Sequence, residues 1–368
     1  MKRICFFADA KSCHTQRWVN YFFDRGYEVF LLSFDRSEKI KAKQHLLSSR
    51  ISHHALKFFF AQGGAKKIIE EIDPDLVNAH FVISYGFLGA LVDKKPLVVS
   101  CWGSDILISA QKSFLHKLRV KYVLKRADLL TSDGTNLTSA LINLGTDENK
   151  IVTSPMGADE KLINPTLEVS PRKKINKDSY IVLSTRSFEE RYDVKTLVLA
   201  IPLVVRDSKR KVKFLIIGEG KQKEDLFDLT KKLNIENYVE FKGRVSEKEL
   251  LRCYQDADIY VSTSLSDSTS VSLLEAMASG LVPIVTDIPG NKEWIKDGGN
   301  GFLFPAKNYE FLSRKILDGV NNFERYNSFA KKNTDIIKKK ALWKENMKVI
   351  EDRFLEVCDV FKSGLARS

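Results

Sequence analysis

Long apolar runs, paired cysteines, histidine clusters and acids to balance the bases are all scarce in this 368-residue chain. No stretch approaches the roughly 18 consecutive apolar residues that a membrane-crossing helix requires. The opening MKRICFFADAKSC has too short an apolar segment for a signal peptide and predicts a buried first strand. The cysteines (Cys5, Cys13, Cys101, Cys253, Cys358) are odd in number, scattered and without a C-x-x-C pair. That predicts a reducing, cytoplasmic setting and argues against a disulfide framework or a zinc site. The histidines show no metal-favouring spacing, and adjacent His53 and His54 simply fall in a basic stretch. Several nucleotide and hydrolase signatures are also missing: no G-x-x-x-x-G-K-[ST], no glycine fingerprint after the first strand, no G-x-S-x-G and no H-E-x-x-H.

What is present begins with charge. A net charge of +12 admits nucleic acid, an anionic membrane or phosphorylated substrates as partners. No recognised nucleic-acid reader accompanies the charge, which sets nucleic acid aside. From Arg36 to Lys67 the bases face the single acid Glu38, and the same stretch carries FFF at 58–60. QKSFLHKLRVKYVLKR (111–126) contains no acid and interleaves its bases with Phe114, Leu115, Leu118, Tyr122 and Val123. Such segments suit an interface with anionic lipid. They equally suit solvated helices whose apolar stripe packs on a core.

Hydrophobic residues at 43% and charged residues at 29% describe a folded protein, and the length predicts two domains. RICFFA, EVFLLSF, DLVNAHF, PLVVSCW, ADLLTSD and KIVTSPMG read as strands alternating with helical stretches. After NPTLEVSPRKKINKDS the rhythm restarts with YIVLSTR, KFLIIGEG, YVEFKGRV, ADIYVSTS, LVPIVTD and GFLFP. The expected class is α/β, with two doubly wound, Rossmann-like domains facing a cleft. The predicted boundaries are 1–165, a linker at 166–178, and 179–340. A helix over 341–368, with Trp343, Met347, Ile350, Phe354 and Val357 as its stripe, is expected to cross back onto the first domain.

Ligands of such sheets bind beyond the C-terminal strand ends. There the second half places Arg186 after a strand, Arg191 five residues on, and Gly218 in the tight turn of IIGEG. SDSTSVSLLEAMASG (266–280) feeds a strand into a hydroxyl-rich turn and a helix starting near Val271. The amides of Thr269, Ser270 and Val271 would form an anion site there, and two guanidinium forks suit a diphosphate.

These motifs in order (STRS…R, GEG, F-G-R-V, ADIYVSTS, D-x7-E, LEAMASG, P-IVTDIPGN, DGGNGFLFP), with the N-terminal HTQRW and VVSCWGSDIL, resemble the retaining nucleotide-sugar glycosyltransferases of the GT-B fold. More narrowly they resemble the family-four, group 1 type. The resemblance implies that Arg186 and Arg191 neutralise the donor diphosphate. It further implies that Glu275, the second acid of an E-x7-E motif, binds the ribose hydroxyls. Ser268, Thr269 and Ser270 would touch phosphate or sugar, while Arg244 and Val245 would offer backbone groups to the base. No metal or other cofactor is implied; a UDP-, GDP- or ADP-sugar is the donor, and the acceptor is a saccharide or lipid-linked saccharide.

Two departures stand out. The first acid is Asp267 instead of glutamate, and Trp102 of WGSD replaces a histidine, shifting attention to Asp105 as a catalytic group; His14 and Trp102 are candidates for an acceptor-side or sugar contact. Local alternatives exist: Asp105 also fits a helix cap, Ser272-x-x-Glu275 a capping box, and Glu189 or Glu190 could pair with Arg191. His80 is expected to be structural. An epimerase of the same fold and a non-catalytic sugar-nucleotide module remain alternatives to a transferase in cell-surface polysaccharide or glycolipid synthesis, placed in the cytoplasm or at the inner face of a membrane. The sequence leaves the oligomeric state open.

Overall fold

A computed structural model describes residues 1–49, 51, 56–109, 113–163 and 179–364. The predicted linker 166–178, His53 and His54 lie outside the described residues. The chain divides into two compact units, Met1–Pro155 with Met347–Ser368, and Met156–Asn346.

The first unit holds strands β1 (Arg3–Phe7), β2 (Glu28–Ser33), β3 (Lys43–Leu46), β4 (Leu76–His80), β5 (Leu97–Ser100), β6 (Leu129–Ser132) and β7 (Ile151–Thr153). They form one parallel sheet in the order β3-β2-β1-β4-β5-β6-β7. The second unit holds β8 (Ser179–Ser184), β9 (Lys211–Ile217), β10 (Val239–Gly243), β11 (Ile259–Ser262), β12 (Val282–Thr286) and β13 (Phe302–Phe304). These too are parallel, in the order β10-β9-β8-β11-β12-β13. Both sheets reverse strand order once, between β1 and β4 and between β8 and β11. Loops diverge at such points and leave a crevice at the strand ends.

Helices cover both faces of the sheets, so the inner strands are continuous apolar runs. In β1, Cys5 and Phe7 enter one core with Leu32, Val77 and Leu88, while the alternate residue Phe6 meets Phe22 of the helix Cys13–Asp24 at 5.7 Å. Phe354 of the helix Trp343–Lys362 stacks on Phe22 at 5.5 Å and an interplanar angle of 3°. The buried apolar stripe of that helix is Trp343, Met347, Ile350, Phe354 and Cys358. The predicted stripe residue Val357 is only half-buried.

Two boundaries differ from expectation. The chain enters the second unit at Met156, not near 165, because Ala158 pairs with the far end of that unit: its N–H donates to Ala341 O (2.8 Å) and its carbonyl accepts from Trp343 N (2.9 Å). The basic stretch 36–67 contains an unexpected edge strand, β3, whose KQHL lacks an apolar run and whose Lys43 and Leu46 face solvent.

The C-terminal helix is tied to the first unit by a buried acid. Glu351 accepts hydrogen bonds from Tyr21 (2.9 Å) and Tyr27 (2.7 Å), and pairs with Arg25 at 2.7 Å. Burial alone would raise its pKa; the bonds from Tyr27, Arg25 and Tyr21 outweigh burial and hold it below the ordinary value. A depressed carboxylate stabilises the fold above its unfolded pKa and loses that contribution as pH falls through the folded value. Glu351→Ala should therefore cost about 3 kcal/mol. Native-state hydrogen exchange checks this: amides of residues 347–362 should lose protection roughly 100-fold at pH 7, with the exposed Lys348→Ala as an unaffected control.

Candidate active site

Arg186, two residues beyond β8, is the centre of the second unit's site and is 8% exposed. Its Nη1 donates to Ser270 Oγ (2.7 Å) and Ser272 Oγ (2.9 Å), and its Nη2 to Asp267 Oδ2 (2.5 Å). Its Cζ lies 4.1 Å from the centroid of the Tyr192 ring, and Arg191 reaches the same ring at 4.8 Å. Burial works against the guanidinium charge, but Asp267 and the neighbouring tyrosines prevail and raise its pKa above the ordinary value. Its Nε is buried without a hydrogen-bond partner.

The turn after β11 supplies the rest. Ser268, Thr269 and Ser270 are buried. Ser270 caps the helix Val271–Ala278, its Oγ accepting from Leu273 N at 3.4 Å. Ser270, not Ser272, is therefore the cap, and Glu275 is not the return arm of a capping box. Glu275 instead accepts from the Tyr254 hydroxyl at 2.9 Å. Thr269 Oγ1 accepts from Trp294 Nε1 at 3.3 Å. Arg191 is exposed, and among the described residues it forms no ion pair with Glu189 or Glu190. Its carbonyl accepts from Leu265 N (2.8 Å) and that of Tyr192 from Thr263 Oγ1 (2.8 Å), which pins the arginine loop to the Asp267 loop.

Gly218 is needed for close approach: a Cβ there would stand 2.3 Å from Arg186 O. Arg244 and Val245 follow β10 outside this cluster. Arg244 is exposed, and Val245 turns its side chain into the core that holds Leu273 and Met277.

In the first unit, His14 stacks on Trp102 (5.1 Å, 19°) beside Trp18 and His80. This group sits at the β1/β4 reversal, as Arg186 and Asp267 sit at the β8/β11 reversal. Burial drives the His80 pKa down to about 3, so it is a neutral packing residue whose Nε2 pairs with Asn78 Oδ1 at 2.9 Å. Asp105, expected among the catalytic groups, is fully buried. Its carboxylate accepts from Val82 N (2.9 Å) and Trp102 N (3.1 Å). Burial pushes its pKa up to about 6 against these bonds. The geometry makes it a support for the Trp102 and Val82 backbone, not a group presented to a substrate.

The helix Phe114–Arg126 buries Val120, Val123 and Leu124, while Phe114 (73%), Leu115 (75%) and Leu118 (47%) are exposed among its bases. A depression lined by Ile106, Leu107, Phe114 and Lys117 adjoins the helix that carries Asp105. Among the described residues no group of three His, Cys, Asp or Glu side chains converges as metal ligands would.

Sequence reading assigned no role to Tyr192, Tyr254, Tyr260, Trp294 or Gly290, and took Ser272 only as a capping-box candidate. Of these, Tyr260 within ADIYVSTS, Ser272 within SDSTSVSLLEAMASG and Gly290 within P-IVTDIPGN fell inside quoted motifs. A Cβ at Gly290 would stand 1.9 Å from Ser268 O and 2.5 Å from Asp267 O, backbone atoms that cannot yield without moving the site. Gly290→Ala should destabilise by about 3 kcal/mol and disturb the Asp267 turn. Gly63→Ala, with open space around it, should be neutral or slightly stabilising; thermal unfolding of the two variants decides.

Residues 167–335 match the family model described as glycosyl transferases group 1, and residues 3–134 match glycosyl transferase 4-like. The chain is 26% identical over 348 residues to the uncharacterized glycosyltransferase MJ1178 of Methanocaldococcus jannaschii, covering 91% of this chain and 92% of that one. It is 32% identical over 193 residues to the GtfA subunit of the UDP-N-acetylglucosamine–peptide N-acetylglucosaminyltransferase of Limosilactobacillus reuteri, over 52% of this chain but only 34% of that relative. Among solved structures, Anabaena Alr3699/HepE in complex with UDP-glucose aligns with a TM-score of 0.80 at 16% identity, over 97% of this chain and 100% of that one. A buried arginine–serine–aspartate site at the switch point of the second sheet, in a chain with these relatives, belongs to an enzyme of the group 1 glycosyl transferases with the GT-B fold.

Proposed function

We propose that this glycosyltransferase moves a sugar from a UDP-, GDP- or ADP-sugar, with retention and without a metal, to a saccharide or lipid-linked saccharide. Cell-surface polysaccharide or glycolipid synthesis at the cytoplasmic face of a membrane is its setting. The observation that carries the donor reading is Arg186, held charged and pre-oriented at a strand end next to a helix start. The names of two relatives, a UDP-N-acetylglucosamine transferase and a UDP-glucose complex, favour UDP.

In this reading the anomeric carbon loses its bond to the β-phosphate oxygen as the acceptor oxygen bonds on the same face. The departing phosphate takes the acceptor proton. Negative charge grows on the diphosphate, and Arg186 and Arg191, preset before reaction, stabilise it more in the transition state than in the ground state. Asp267 and the buried serines hold Arg186, while Glu275 holds the ribose.

The direct test is product analysis by NMR with a panel of sugar nucleotides in the presence of a chelator. A glycoside with the donor's anomeric configuration is expected. Inversion, an epimerised free sugar, or activity restored only by magnesium would contradict the proposal. Arg186→Ala should lower turnover about 10²–10³-fold.

The exposed Phe114, Leu115 and Leu118, set beside the exposed Lys117 and Lys121, support an anionic lipid surface as the place where the acceptor is met. The apolar side chains enter the headgroup boundary and the bases meet lipid phosphates. Flotation with phosphatidylglycerol vesicles should recover the protein at low salt and release it at high salt. Replacing the three apolar residues by serine should abolish recovery; equal recovery with purely zwitterionic vesicles would argue against the role of charge.

A further inference from the structure

Two tyrosines to which the motifs assign no role, Tyr254 and Tyr260, stand behind the two charged groups of the donor site. Tyr254, on the helix Glu247–Asp256, and Tyr260, in β11, are both fully buried. The Tyr254 hydroxyl lies 2.9 Å from Glu275 Oε2, 2.9 Å from Thr185 Oγ1 and 3.3 Å from Ser272 O. The Tyr260 hydroxyl lies 2.7 Å from Ser272 Oγ, which accepts from Arg186 Nη1 at 2.9 Å. The two rings thus reach different charged groups, Tyr254 the Glu275 carboxylate directly and Tyr260 the Arg186 guanidinium through Ser272, while both hydroxyls share the neighbouring Thr185.

We propose that Tyr254 and Tyr260 are separate positioning residues, Tyr254 fixing the carboxylate of Glu275 for the ribose and Tyr260, through Ser272, fixing Arg186 for the diphosphate. This rests on the donor-site reading above.

A phenol carries one proton. Of the three neighbours of the Tyr254 hydroxyl, Ser272 O and Glu275 Oε2 only accept, and the carboxylate is the stronger acceptor. The phenolic proton therefore goes to Glu275, and the Thr185 hydroxyl can donate to the Tyr254 oxygen. Burial, reinforced by Glu275, raises the Tyr254 pKa far above the ordinary value, so the ring stays a donor at any working pH. A glutamate on a helix has several rotamers; a fixed donor on one carboxylate oxygen selects one of them before ligand arrives. That removes an ordering cost otherwise met on binding. At the other end, the Ser272 hydroxyl receives Arg186 on its oxygen, and Tyr260 shares that hydroxyl, which also lies 3.1 Å from the Ser270 hydroxyl bonded to the same guanidinium nitrogen.

The two roles separate in one binding experiment. UDP, GDP and ADP, their 2′-deoxy counterparts and inorganic pyrophosphate are titrated into full-length wild type, Tyr254→Phe and Tyr260→Phe, each checked for an unchanged unfolding profile. For the best-bound base, wild type should prefer the ribonucleotide over the deoxyribonucleotide. Tyr254→Phe should weaken the ribonucleotide about 10-fold, shrink that preference and leave pyrophosphate affinity unchanged. Tyr260→Phe should weaken pyrophosphate and nucleotide alike and keep the preference. If Tyr254→Phe does not fold, Tyr254→Met, which also removes the hydroxyl but fills the space with a flexible apolar side chain, should shrink the same preference. A Tyr254→Phe or Tyr254→Met protein that weakens all ligands equally, or none, overturns the assignment. Wild type that binds no nucleoside diphosphate sinks the donor-site reading itself, and wild type without ribose preference sinks the role of Glu275.

Discussion

A charged guanidinium, 8% exposed, cannot persist in a protein without partners that replace water. Arg186 has them: one carboxylate, two serine hydroxyls and the face of Tyr192. Much of the second unit follows from holding these together. The glycine at 218 exists so that the β9 turn can lie against the carbonyl of Arg186, and Gly290 so that the segment after β12 can lie against Asp267 and Ser268. The hydroxyl-rich run 268–272 serves a chain turn, a helix cap and the guanidinium at once. Asp267 is best understood from this side. Whatever it does for a sugar, it is the counter-charge that lets the arginine stay buried and charged, and its shorter side chain already reaches.

The first unit solves a different problem at the equivalent place in its sheet. At the β1/β4 reversal it assembles rings instead of charges: His14 on Trp102, with Trp18 and His80 edge-on. Trp102 keeps its position because the buried Asp105 takes up its backbone N–H and that of Val82, closing the β5 and β4 ends together. Trp102 thus offers an apolar stacked surface at this place in the sheet. Outside that site, the C-terminal helix is fastened to the first unit by Glu351, while its start, at Trp343, pairs its backbone with Ala158 in the second.

Most of the architecture could be read from the chain because buried parallel strands are continuous apolar runs: all of β8 to β13 coincide with runs such as YIVLS and FLII. The edge strand β3 escaped, since KQHL at a half-exposed edge has no such run. Arg186, Arg191, Asp267 and the serines were legible as an ordered motif, and the structure places them together. For Asp105 the sequence shows a carboxylate that fits either a catalytic group or a helix cap, but not that burial and backbone amides enclose it. The roles of Tyr254 and Tyr260 were not legible, although Tyr260 falls within ADIYVSTS: each lies in its own element, and only tertiary folding brings their hydroxyls to Glu275 and Ser272.

The central claim is that Arg186 marks a phosphate site and not merely a buried structural pair. Calorimetric titration of the best-bound nucleoside diphosphate, and of the matching nucleoside without phosphates, into wild type and Arg186→Gln measures this most directly. The account predicts a loss of about 10–100-fold for the diphosphate, the scale of hydrogen bonds to charged groups, with nucleoside affinity unchanged. An equal loss for both ligands, or an unchanged affinity for the diphosphate, would contradict it.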